Sequence, residues 1–306
     1  MRDRRRHLDL IILWGLFLAP GALVRSEDGA ADIRRFELLI EDQKYGEAAA
    51  DLEVYARQHP DSWRPLYQLG YVYFRLHRIQ ESSKLLQKSL FLNDNFAETH
   101  KILAFDLNIL GRPDLAEKEL KQAIRLNPAS YESHYELGRI YFERSSYVPA
   151  IEELETARRL APDFVKVYHN LGLAYSGVGD NDKAVENFKK GLELNARQSK
   201  PSAWPLIDFG TYCNLQGEFV KARDLLLEAV KIDPRWDQAY CELGKAFRGL
   251  GRTAEAIVAL KQATFLNPRN PEYHYMLAGL YTQTHQLDEA KEQLAEFVRQ
   301  RNSGTK

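Results

Sequence analysis

The side chains most able to do chemistry in this 306-residue chain are its histidines, its two cysteines and its many carboxylates. His100, His134, His169 and His274 are of a type that ligates metals and moves protons near neutrality. Cys213 and Cys241 could pair with each other or act as thiols. Either chemistry needs groups to converge, and the spacing does not bring them together. There is no His-Glu-x-x-His, no Walker loop, no Gly-x-Ser-x-Gly and no Gly-x-Gly-x-x-Gly. Two cysteines are too few for a disulfide framework or a Cys-based zinc module. No catalytic set, no metal site and no cofactor is expected. What the histidines do show is a spacing: His100 and His134 lie 34 residues apart.

That interval is a period. Tetrads of aromatic or His, Leu, Gly or Ala, and aromatic recur as His134-Leu137-Gly138-Tyr141, Tyr168-Leu171-Gly172-Tyr175, Tyr240-Leu243-Gly244-Phe247 and His274-Leu277-Ala278-Tyr281. An Ala follows twelve residues after each small residue, at Ala150, Ala184, Ala256 and Ala290. Extending the frame gives eight units, 29–62, 63–96, 97–130, 131–164, 165–198, 203–236, 237–270 and 271–304, with Ser199–Ser202 inserted. Position 20 is Ala in seven of the eight, Ser82 being the exception. Position 8 is Gly or Ala in seven, Phe36 being the exception. Positions 4, 7, 8 and 11 share one face of a helix, and positions 20, 24 and 27 one face of a second. Small residues at 8 and 20 let the two helices approach. Gly111, Gly179, Gly217 and Gly251 at position 15 suit a helix end that reverses. Pro at position 32, as at Pro60, Pro128 and Pro162, stops the second helix. Each unit reads as a helix-turn-helix hairpin too small to bury its own apolar face, so that neighbours must stack.

Length, period and column pattern together resemble a tetratricopeptide repeat protein over residues 29–304. The resemblance implies an all-α fold, a right-handed α-solenoid of about eight hairpins. The first unit departs most, with Asp32, Arg35 and Phe36 where the pattern wants an aromatic residue, Leu and Gly, and reads as a cap. In the eighth unit, Lys291 and Gln300 replace apolar residues, as expected of a solenoid end. The insertion, followed by Trp204-Pro205, predicts a break in pitch and a hinge at 198–205.

Composition bounds the function. With 44% hydrophobic and 28% charged residues the chain can bury a core. A net charge of −1 argues against nucleic acid as a partner. The charge is uneven: Arg2, Arg4, Arg5 and Arg6 precede an apolar stretch at 10–24, and the remaining body is at −4. Residues 1–26 therefore predict a signal peptide, with export to the periplasm or beyond, or an N-terminal membrane anchor acting through residues 8–24. Residues 305–306 form a tail.

In this family the first helices line a concave groove that takes an extended peptide or partner helix. The resemblance places Tyr67, Tyr71, Phe74 and Arg75 there, then Lys101 and Phe105, then Tyr135, Arg139 and Phe142, then His169 and Asn170. Aromatic rings interspersed with Arg and Lys suit a recognition surface; packing between adjacent helices is the alternative use of the same rings. The Lys and Asn set of chaperone-binding members is not present across any three units, and Asn170 alone fits an asparagine ladder. His100, His134 and His274 share position 4 and are expected to pack. Cys213 and Cys241 fall on neighbouring helices about two turns apart, which leaves a disulfide or two buried thiols open. The function expected is a non-catalytic protein-binding scaffold at the cell envelope. The alternatives are a membrane-anchored cytosolic adaptor and an enzyme with an unrecognised groove site.

Overall fold

The computed structural model describes residues 27–303, which form sixteen α-helices and no strand. The signal or anchor expected at residues 1–26 and the tail lie outside the described residues. None of the described helices is long and apolar enough to cross a membrane. The chain divides into two compact units between Leu160 and Ala161.

The first unit holds α1 (Glu27–Glu41), α2 (Tyr45–Gln58), α3 (Trp63–Arg75), α4 (Ile79–Leu92), α5 (Ala97–Ile109), α6 (Pro113–Leu126), α7 (Tyr131–Glu143) and α8 (Tyr147–Leu160). Each helix packs on the next, and first helices also touch, α1 on α3 and α3 on α5. Position 24 fills the space that the small residue at position 8 leaves: Leu86, Leu120 and Leu154 are fully buried. A Cβ on Gly138 would stand 2.7 Å from the Leu154 Cγ, so the glycine is there for closeness. Phe36 breaks this rule in the first hairpin and is buried edge-on against Tyr55, ring centroids 5.2 Å apart.

The second unit holds α9 (Val165–Gly177), α10 (Asn181–Ala196), α11 (Trp204–Leu215), α12 (Phe219–Ile232), α13 (Asp237–Gly249), α14 (Thr253–Leu266), α15 (Pro271–Gln283) and α16 (Leu287–Ser303). One core runs through it, from Phe188 past Phe209, Leu226 and Leu260 to Leu277. The insertion lies inside this unit. Asn195 is buried and grips it at both ends of its amide: Nδ2 donates to the Ser202 carbonyl at 2.9 Å, and the Ser202 N–H donates to Oδ1 at 3.0 Å. Ser202, within the segment expected to hinge, is thus tied to α10. On α16 Lys291 is exposed as expected, but Leu287, Leu294 and Val298 are exposed too, so its outer face keeps apolar character.

All eight hairpins turn the same way. Position 15 has positive φ in each, at Gly111, Gly179, Gly217 and Gly251 and equally at Gln43, His77, Ser145 and His285.

Candidate partner-binding surface

The histidines at position 4 are bolts. His100 Nδ1 sits 2.6 Å from Glu119 Oε2, and Nε2 lies 2.9 Å from the Asp94 carbonyl. His134 makes the same pair of bonds to Glu153 and Pro128, and His274 to Gln293 and Pro268. Each ring joins the two helices of its hairpin and the preceding loop. Tyr168 takes over half of the task, its hydroxyl donating to the Pro162 carbonyl at 2.7 Å. Burial pulls the His100 pKa down, but Glu119 and Asp94 together outweigh it and the net shift is upward. Glu153 raises that of His134. No group of three or more His, Cys, Asp or Glu with metal-holding geometry occurs among the described residues. Cys213 and Cys241 are buried, unbonded thiols, pushed up by burial to about 11 and about 12.

The side chains expected to line the groove divide into two groups. Phe74, Phe105 and Tyr135 are buried, Phe74 meeting Phe105 at 6.1 Å, so these rings pack between helices and offer no free surface. Asn170 is also buried and donates to its own helix at the Lys166 carbonyl. The cause is geometric. Position 6 turns inward against a neighbouring helix, as Gln68, Glu136, Asn170 and Glu242, all buried, show. Phe74 and Phe105 make the ring contact that joins α3 to α5.

Tyr67, Tyr71, Arg75, Lys101, Arg139 and Phe142 stay half-buried on the first helices of the first unit. Tyr67 lies edge-on to Phe96 at 4.9 Å, and burial raises its hydroxyl well above the usual tyrosine value. Arg75 donates to the Tyr71 hydroxyl at 2.9 Å and stacks 4.5 Å from the Tyr45 ring. Lys101 reaches Glu98 at 2.7 Å and Glu132 of the next first helix at 3.7 Å. Burial lowers its pKa, and the two carboxylates more than reverse that, so it stays charged. Arg139 is held by Glu136 at 3.0 Å and Glu143 at 3.5 Å, with Glu136 raising its pKa most. Phe142 lies against Tyr147 at 5.7 Å. In the second unit His169 is packed against Trp204 at 5.1 Å and faces Asp208 at 3.4 Å.

Sequence reading missed the ionic ties between successive first helices. Arg64 bonds Glu37 at 2.7 Å, Lys101 spans to Glu132, and Lys245 spans from Glu242 to Glu272. The signal was legible in part. Glu132 and Glu272 both sit at position 2, one unit after the lysine that each meets.

Three family models, each for the tetratricopeptide repeat, match residues 110–163, 163–235 and 247–303, together more than half of the chain. The chain belongs to the tetratricopeptide repeat family. Its all-α hairpins are those of an α-solenoid, and a tetratricopeptide repeat protein from Parabacteroides merdae has the same fold, with TM-score 0.64 at 15% identity over 84% of this chain and all of that one. Among curated relatives, the BBSome complex member BBS4 of Bos taurus is 25% identical over 67% of this chain. The type IV pilus assembly protein PilF of Pseudomonas aeruginosa is 27% identical over 70% of it. The chain spans 45% of the BBS4 length and 84% of PilF.

Proposed function

We propose that this repeat protein is a non-catalytic scaffold that docks a peptide or helix of a partner protein on the first helices of its N-terminal unit. The observation that carries the reading is the half-buried row Tyr67, Tyr71, Arg75, Lys101, Arg139 and Phe142. It combines ring area with cations already fixed in place, and such side chains dominate binding energy at interfaces. The names of the two relatives, a complex member and an assembly protein, agree with a scaffold. The basic and apolar residues of 2–24 support work at the cell envelope, after export or on an N-terminal anchor.

A photo-crosslinking residue at Tyr71 or Arg139, against one at exposed Lys118 on α6, tests the docking face. Partner adducts are expected from the first two and not from the third, and are expected to be lost when Tyr67→Ala/Lys101→Ala is added. Equal adducts from all three positions would reject it. A periplasmic reporter fused after residue 30, active with the native leader and inactive when Arg4, Arg5 and Arg6 are neutralised, is the outcome expected for the envelope.

A further inference from the structure

The joint between α4 and α5 departs from the rest of the chain twice. Position 20 is Ala in every unit but the second, which has Ser82. Position 10 of the following first helix is Asp106, where other units have residues such as Val72, Ile140, Ala174 and Ala246. Two turns along, Ser89 on α4 and Thr99 on α5 continue the polar seam. All four side chains are completely buried. Ser89 is satisfied, donating to the Trp63 carbonyl at 2.9 Å. The Ser82 and Thr99 hydroxyls and both carboxylate oxygens of Asp106 have no hydrogen-bond partner, although Ser82 is the polar group that faces Asp106.

An ionised carboxylate in such a place is cut off from bulk solvent and faces no cation, and its desolvation is too costly to leave uncompensated. The neutral acid has an O–H to donate to the Ser82 hydroxyl oxygen and so relieves both groups. We propose that the α4–α5 joint is a proton-responsive contact, tight while Asp106 carries its proton and loosened once the carboxyl ionises. No counter-charge intervenes. On α4 Glu81, Lys84 and Lys88 are exposed. On α3 Tyr71 and Arg75 bond each other. On α5 and α6 His100 is held by Glu119, and Lys101 by Glu98 and Glu132 of α7. On α6 Glu117 is taken by Lys121 and Arg144. Burial accordingly lifts the Asp106 carboxyl to about 8, against the opposing effect of Ser82.

The sign follows from linkage. Between the ordinary carboxylate value, about 4, and the folded-state value of about 8, the folded chain binds one proton more than the unfolded chain. Stability from this group therefore falls as pH rises across that window and levels off above it. Urea unfolding of the full chain at pH 5, 6.5, 8 and 9 tests this against Asp106→Asn, which keeps shape without charge. The ratio of wild-type to variant unfolding constants is expected to rise by up to about tenfold per pH unit to pH 8 and then flatten. Amide exchange in α4 and α5, corrected for its intrinsic pH dependence, is expected to accelerate over the same range in the wild type only. A ratio that stays flat from pH 5 to 8 overturns the proposal. Should Asp106→Asn fail to fold, Ser82→Ala/Asp106→Ala, which rebuilds the Ala222–Ala246 joint of the second unit, serves as the same reference.

Discussion

At the scale of single residues, one repeat position does the same work in several units. Position 4 ties the two helices of a hairpin to the preceding loop where it holds His100, His134 or His274, and Tyr168 keeps the bond to the loop. The partner at position 23 changes with it: Glu119 and Glu153 for two histidines, Gln293 for the third. Glutamine thus keeps the hydrogen bond without the charge. This gives a pH prediction. His100 and His134 have folded pKa values raised above the ordinary value of 6.5. Their charge-pairing stability is fully present below 6.5 and is lost as pH rises through the folded values. Glu119→Gln and Glu153→Gln are each expected to cost about 1–2 kcal/mol at pH 5.5 and close to nothing at pH 9, read by urea unfolding. An equal loss at both pH values would mean that the bond, not the charge, does the bridging.

At the scale of elements, the hairpin and the close approach of its two helices were legible because small residues recur at fixed positions. The turn was half legible. Four glycines announced a left-handed residue at position 15, but Gln43, His77, Ser145 and His285 adopt it without any compositional sign. Those side chains bear a cost that glycine escapes, about 1 kcal/mol. Ser145→Gly is expected to stabilise the protein by about 0.5–1 kcal/mol, and Gly179→Ala to destabilise it by about 1 kcal/mol, in thermal or urea melts. The candidate surface was less legible. Periodicity assigns a residue to a helix face but not to the depth at which a neighbour covers it. Tyr71 and Phe74 read alike in sequence, yet one is half-buried and the other buried. The insertion shows the same limit, since its polar and proline-containing letters gave no sign that Asn195 would clamp Ser202. Asn195→Ala is expected to cost about 1–3 kcal/mol and to speed trypsin cleavage after exposed Arg197 several-fold. Unchanged cleavage would show that the clamp does not restrain the linker.

At the scale of the whole molecule, stability is distributed along the chain. Within each compact unit, apart from ties between successive first helices, each helix packs on the next one in sequence, and each unit has its own core. Such an array behaves as a line of hairpin stabilities plus nearest-neighbour terms, so damage in one hairpin should fade with distance along the line. A globular domain of this length would instead share one core and lose protection everywhere together. The two pictures separate cleanly at Leu226, which is fully buried against Gly210 in the middle of the second unit. Leu226→Ala removes that packing and is expected to cost about 2–5 kcal/mol locally. Hydrogen exchange should then show lost protection in α11, α12 and α13 and native protection in α3 to α6. Leu86→Ala, fully buried in the first unit, should give the reciprocal pattern. A uniform loss from either variant would mean that all hairpins unfold as a single cooperative block. In that case a partner docked on the first helices of the N-terminal unit would stabilise α15 and α16 as much as α3, whereas the linear picture confines its effect to the hairpins that it touches and their neighbours.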